Sequence, residues 1–436
     1  SQEHTKRSAI QRFREPVRRN MNVLATISDV AAPGQLATSG GVPLIIAHVN
    51  SNATGPIYDG SVNNPYKLLT QGLSAGTDIV FVHAGSEFDA APQNIVPLLA
   101  DQQVIGEGFI QPGRNTNSTI TVDLLGTTTQ IPLPASPTFA ANPGFLRPML
   151  SNTIGNTVTM ANGSQFSGFI INGPTGSGIF GDGVGNMIIN DVLVQNAGVS
   201  GISLLNTTGT TTISNTTLLS STLATGPLFQ INGGNGTVVY NSTDTNTTTG
   251  ARNVFGLAAI TNTSPQSIVQ IENMTGGRVD MSDTLVTGID GGGVLIQNNT
   301  GGSATIDNVS ITNSPGTGIT ILDSAGTYQF RKTSKQLPQI LVDNAAQQSI
   351  LISNLSGQVN FTDPLLISSR NAEGIEVRQS SGTAIFTDVV TINGLGAAVG
   401  AEAAVSVHDQ LAGGGVQFRD NLTVSAAGVG RGSNAN

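Results

Sequence analysis

The chain contains no cysteine and no tryptophan. Without thiols it can have no disulfide framework, no thiolate metal site and no cysteine nucleophile. With 4 Tyr and 15 Phe beside that missing tryptophan, any core must be mainly aliphatic. Charge is scarce as well: Asp, Glu, Lys and Arg make up only 10% of residues, the net charge is −9 and the pI is about 4.8. Such a surface lacks the basic footprint that holds nucleic-acid phosphates. No run reaches the roughly 18 to 20 apolar residues needed to cross a bilayer, and no secretory signal opens the chain, so it is not expected to span a membrane itself. Ser1 stands where an initiator Met would, so the sequence reads as processed or as a piece of a longer chain.

What is present is enough to build a core. Hydrophobic residues reach 38% and mean hydropathy is +0.06, despite 54 glycines. A length of 436 residues fits two or three ordinary domains or one elongated repeat domain. Short strand patterns decide for the second. "IINDVLV", "TISNTTL", "DMSDTLV", "TIDNVSI", "NFTDPLL", "IFTDVVT" and "QFRDNLT" align so that Asp191, Asn215, Asp283, Asn308, Asp363, Asp388 and Asp420 fall in one column. Neighbours at 191/215, 283/308 and 363/388 are roughly 24 or 25 residues apart, a solenoid period. A polar, Gly-containing turn and another strand follow each, giving about three short strands per repeat, as in one coil of a parallel β-helix. Asp and Asn suit the column because they cap their own backbone and tolerate the left-handed region. Stacked Asn side chains can also form a hydrogen-bond ladder. A row of Ca²⁺ ions is the alternative for such a column, but the glycine/aspartate nonapeptide of calcium-binding rolls is missing.

The terminal coil of a solenoid exposes apolar interior and unpaired backbone, and needs a cover. Residues 58–88 supply one. Asn64 is read as the N-cap of a helix and Pro65 as its first residue, with Tyr66, Leu69 and Leu73 forming one apolar stripe. Four segments follow: a basic arm or linker over 1–42, the cap and first coils over 43–110, the β-helix over 111–425 and a flexible tail over 426–436. The arm carries Lys6, Arg7, Arg12, Arg14, Arg18 and Arg19; Arg12, Arg14, Arg18 and Arg19 are candidates for docking on an acidic neighbour. The closing "AAGVGRGSNAN" offers no covering helix, which suggests truncation or stacking on another domain or another copy.

"DGSVNNPYKLLTQGL", "AGTDIVFVHAGSEF" and "LLADQQVIGEGF" together resemble the opening module of pectate-lyase-like right-handed β-helix proteins. That resemblance implies an all-β fold: a right-handed, single-stranded parallel β-helix with an N-terminal capping helix. "REPVRRNMNVLA" and "PLIIAHVNSN" resemble the junction in large bacterial outer-membrane proteins, planctomycete-like ones among them, where an inverse-autotransporter type barrel precedes a β-helical region.

Many right-handed β-helices are lyases or hydrolases, so an enzymatic reading depends on a catalytic set. A lyase needs a Lys or Arg base beside clustered acids, and a hydrolase needs paired carboxylates about 5 to 9.5 Å apart. The best cluster is Arg370, Glu373, Glu376 and Arg378, in which Glu376 and Arg378 share a strand face, as a surface ion pair would. His48, His83 and His408 stand isolated in sequence, without ligand spacing. "GSGIFGDGVG" lacks the strand, helix and acid of a dinucleotide site. Asn-x-Ser/Thr triplets, including those at Asn117, Asn206, Asn246, Asn308 and Asn360, fit outward polar positions better than glycosylation. The expectation is therefore a non-enzymatic extracellular or cell-surface protein of a bacterial outer membrane, a fibre subunit, adhesin or passenger, with no catalytic, cofactor or metal residues. Self-association, adjacent domains or a glycan are the expected partners. A carbohydrate-active β-helix is the alternative.

Overall fold

A computed structural model describes residues 44–107, 119–124, 127–132, 147–220, 224–241, 259–263, 266–282, 284–289, 291–333, 339–368, 373–394 and 403–425. Residues from Ile46 onward form one compact unit. Arg12, Arg14, Arg18 and Arg19, together with Asp283 and Arg370, lie outside the described residues.

The chain begins its coils with β1 (Ile46–Val49), helix α1 (Leu69–Ser74), β2 (Ile79–Val82), β3 (Glu87–Phe88), β4 (Val96–Pro97) and β5 (Gln103–Gly106). From there it visits three sheets in rotation, and successive visits pair in parallel with the coil before. The sheets hold 13, 12 and 11 strands, running from β1 to Gly415–Phe418, from β3 to Leu422–Ser425 and from β4 to Val405–His408. This is a parallel β-helix. One antiparallel hairpin departs from it, β6 (Thr119–Leu124) against β7 (Thr127–Pro132).

Alternation in sequence becomes inside and outside in the coil. In Val294–Gln297 and Ile319–Leu322 the first and third residues are buried and the second and fourth half-buried. Stacking Val294 on Ile319 and Ile296 on Ile321 continues one aliphatic column along the axis. The first sheet adds an aromatic column. Phe330, Phe361, Phe386 and Phe418 stack with ring centroids 4.9 Å apart at each step, matching the strand spacing of about 4.8 Å. At Gly293 a Cβ would lie 1.8 Å from the carbonyl oxygen of Gly318, so only glycine lets these two backbones pass.

The coils turn at residues in the left-handed region, where Asn and Asp are the favoured non-glycine types. Asn196, Asn313 and Asn344 turn out of the second sheet; Asn206, Asn273, Asn298, Asp323 and Asn354 turn out of the third. Their side chains form ladders: Asn196 donates to Asn172 at 2.9 Å, Asn344 to Asn313 at 2.7 Å, Asn206 to Asp182 at 2.9 Å and Asn354 to Asp323 at 2.6 Å.

The helix differs from its sequence reading. It spans Leu69–Ser74, its N-cap is Leu68, and the Gln71 side chain accepts the Leu68 N–H at 3.3 Å. Asn64 and Pro65 are therefore not its cap and first turn. The reason is strand pairing. Tyr66 donates its N–H to the His48 carbonyl at 2.8 Å and accepts from Asn50 at 2.7 Å, which holds it extended beside β1. Leu69 and Leu73 are buried, while Tyr66 packs only partly buried against the same core. Gly72 lies inside the helix; a Cβ there would meet Val49 Cγ2 at 2.5 Å, so its absence seats α1 on β1 and β2.

Candidate functional site

The predicted turn column occupies one corner of the helix, between first-sheet and second-sheet strands, for Asp191, Asn215, Asn308, Asp363, Asp388 and Asp420. The corner is chemically uneven. Asp191, Asn215 and Asn308 have φ of 56°, 49° and 51°, whereas Asp363, Asp388 and Asp420 are not left-handed. Asn308 is fully buried and bridges coils, donating to the Thr333 hydroxyl at 2.8 Å and the Thr284 carbonyl at 3.3 Å. Asp388 and Asp420 each accept the N–H of the following residue, and Asp363 accepts that of Lys332.

Asp191 is set apart by Arg147. The guanidinium donates to the Asp191 carboxylate at 2.7 Å and also to its carbonyl, with both side chains almost wholly buried. Burial pushes the Asp191 carboxyl up to about 6, against the opposing pull of Arg147. Two further ion pairs flank this corner: Arg278 with Asp280, and Arg331 with Asp307. Ser282 joins them, donating to Asp280 and accepting from Arg331.

The outward face of the third sheet carries the second concentration of titratable groups. Register places Gln230 beside Gln270, Asn232 beside Glu272, and Glu272 beside Gln297. The Glu272 carboxylate accepts three amide bonds, from Asn232 at 2.8 Å, Gln230 at 3.3 Å and Gln297 at 2.7 Å. Further along, Arg378 pairs with His408 in register, and both converge on Glu376. Arg378 Nη1 lies 3.1 Å and His408 Nε2 3.2 Å from Glu376 Oε1, while Gln348 donates to Oε2 at 2.8 Å. His408 Nδ1 meets Asp409 at 2.9 Å. The bonds to Asp409 and then Glu376 raise the His408 imidazole above its usual value.

Of the predicted cluster, then, Glu376 and Arg378 are brought together. Glu373 instead contributes its backbone carbonyl to Ser349. His408, isolated in sequence, joins them from one coil away, where "VSVH" lies in register over "IEVR". His48 and His83 are likewise not isolated, since adjacent strands bring His48 Nδ1 within 3.2 Å of His83 Nε2. Among the described residues, no group of three or more His, Cys, Asp or Glu side chains is arranged to hold a metal ion.

The fold places the chain in the class of parallel β-helices. No family model and no curated protein matches it. Two chains among solved structures match. One, titled "Crystal structure of Agl-KA catalytic domain", shares 11% identity over 88% of this chain and 70% of that one, at a TM-score of 0.31. A likeness at that level carries no argument about chemistry.

Proposed function

We propose that the chain is a non-enzymatic, extracellular β-helical surface protein that acts as a stiff rod, a fibre subunit or displayed passenger. One observation carries this reading: acids along the coils are engaged by neighbouring coils. Glu272 is held by three amides, Asp307 by Arg331, Asp182 and Asp323 by asparagines, and Asp343 by Ser368. Carboxylates bonded in this way join successive coils instead of facing a substrate. The aromatic rings that sugar binding draws on are scarce too, for there is no Trp, and of the 4 Tyr, Tyr240 and Tyr328 are buried and Tyr58 and Tyr66 half-buried. The last described coil exposes Val407, Leu422 and Val424, which fits continuation of the stack by a further coil from an adjacent domain or a second copy. A bacterial outer-membrane setting follows the sequence resemblance.

Electron microscopy of the purified chain over a concentration series tests the rod. With 13 strands in its longest sheet, the β-helix should measure about 60 Å at about 4.8 Å per coil. Lengthening with concentration would support self-assembly. A compact particle, or turnover of uronate or neutral glycan polymers, would overturn the reading.

The Glu376 cluster favours one second reading. An imidazole between two carboxylates, with Arg378 beside them, has the parts for acid–base chemistry on an anionic sugar. Glycan turnover abolished by Glu376→Gln would establish this carbohydrate-active alternative.

A further inference from the structure

The outward face of the first sheet is buried where β1, β2 and β5 meet. His48 pairs with Phe81 and Phe81 with Ile105, on the face opposite Val49 and Val82; His83 and Glu107 continue that row. His48 is 2% exposed, His83 0% and Glu107 2%. The two imidazoles stack with centroids 5.3 Å apart, and Phe81 meets both edge-on. His48 Nδ1 lies 3.2 Å from His83 Nε2, and His83 Nδ1 lies 3.4 Å from Glu107 Oε2, the oxygen that also accepts the Ala84 N–H at 2.7 Å.

A contact between two ring nitrogens holds one proton. When one ring is neutral, its lone pair accepts the N–H of the other. When both rings are imidazolium, two N–H groups point at each other and the bond is lost. Glu107 can balance one positive charge, and it lies against His83. Among the described residues, the other Asp, Glu and Lys side chains on the packed segments, Asp59, Lys67, Asp78, Glu87, Asp89 and Asp101, are exposed, and buried Arg147 pairs with Asp191. None of these pairings supplies a counter-charge to His48.

We propose that His48, His83 and Glu107 form an acid-sensitive latch that fastens β1, with the segment and helix packed on it, to the rest of the solenoid. Tyr66 bonds to β1 and to Asn50, and α1 packs on β1 as well as on β2, so release of β1 loosens the cover of the first coil. The direction follows from linkage. Burial, and then His83, hold the His48 imidazole well below its usual value, whereas the opened chain binds that proton near pH 6.5. The latch is therefore fully closed above about pH 6.5. Below it, opening gains about tenfold per pH unit.

Hydrogen exchange of the whole chain at pH 7.5 and 5.5, corrected for intrinsic rates, tests this. Protection over 46–49 and 79–82 should fall about tenfold at the lower pH, while 294–297 and 319–322 stay unchanged. His48→Gln should abolish the difference. Equal protection at both pH values, or an undiminished fall in the variant, would overturn the latch. If His48→Gln fails to fold, imidazole NMR of the unmodified chain decides. Of its 4 histidines, at least one should remain neutral at pH 5.5; titration of all of them near pH 6.5 refutes the proposal.

Discussion

Replacing Arg147 by Met would leave the Asp191 carboxylate buried without the cation that touches it at 2.7 Å. Removing one member of a buried pair costs about 3 to 5 kcal/mol, because the surviving charge has neither water nor partner. The magnitude belongs at the upper part of that range. The two side chains are 4% and 9% exposed, and the same guanidinium also holds the Asp191 carbonyl at a left-handed turn. Asp191 can escape part of the penalty by taking up a proton. Its carboxyl already sits at about 6 through burial, and losing Arg147 moves it higher still. In the unmodified chain this raised value makes Asp191 a liability as pH rises: the folded state binds the extra proton between about 3.8 and 6, so stability falls across that window. In Arg147→Met the window extends upward, so the loss should shrink as pH drops from 7.5 to 5. Asp191→Asn in the variant background should restore most of the stability, because Asn215 and Asn308 show that Asn accepts this corner. Urea unfolding followed by far-UV circular dichroism, at both pH values, reads all three effects. A loss below about 1 kcal/mol, or one that is flat with pH, would refute the reasoning.

Phe361→Ala should cost about 3 to 5 kcal/mol, since its ring lies between Phe330 and Phe386 at 4.9 Å from each; Phe361→Leu should cost markedly less, as thermal unfolding would show. Gly72→Ala, although favourable by helix propensity, should lower stability by about 1 to 3 kcal/mol because its Cβ meets Val49 and Val80; unchanged stability would mean that α1 does not seat on β1 as described. NMR titration of His408 should give a midpoint above 6.5, lowered by Asp409→Asn and by Glu376→Gln. The positive charge is favoured in the folded state, so any stabilisation is present below pH 6.5 and fades as pH rises through the folded midpoint. It will be small, because the side chain is 43% exposed.

The sequence by itself determined the architecture. The two-residue alternation in segments such as "VSIT" and "VTIN" and the 24-to-25-residue spacing of the Asp/Asn corner are local facts, and a parallel coil is the arrangement that buries every such stripe on the next one. Leu69 and Leu73 could be recognised as buried helix residues for the same reason. The helix start could not, because Asn64 and Pro65 carry good local signals that lose to the pairing of Tyr66 with β1, a partner distant in sequence. Clusters across coils were equally hidden. His48 and His83 are neighbours only because the chain between them closes a complete turn, and His408 reaches Glu376 only through the register of two strands. The ladders also formed at corners other than the column picked from sequence, where alignment alone could not separate Asn308, left-handed and buried, from Asp388, which is neither. Local periodicity fixes which residues face inward. Which outward residues meet is decided by coil length and register, and those are set only when the whole stack closes.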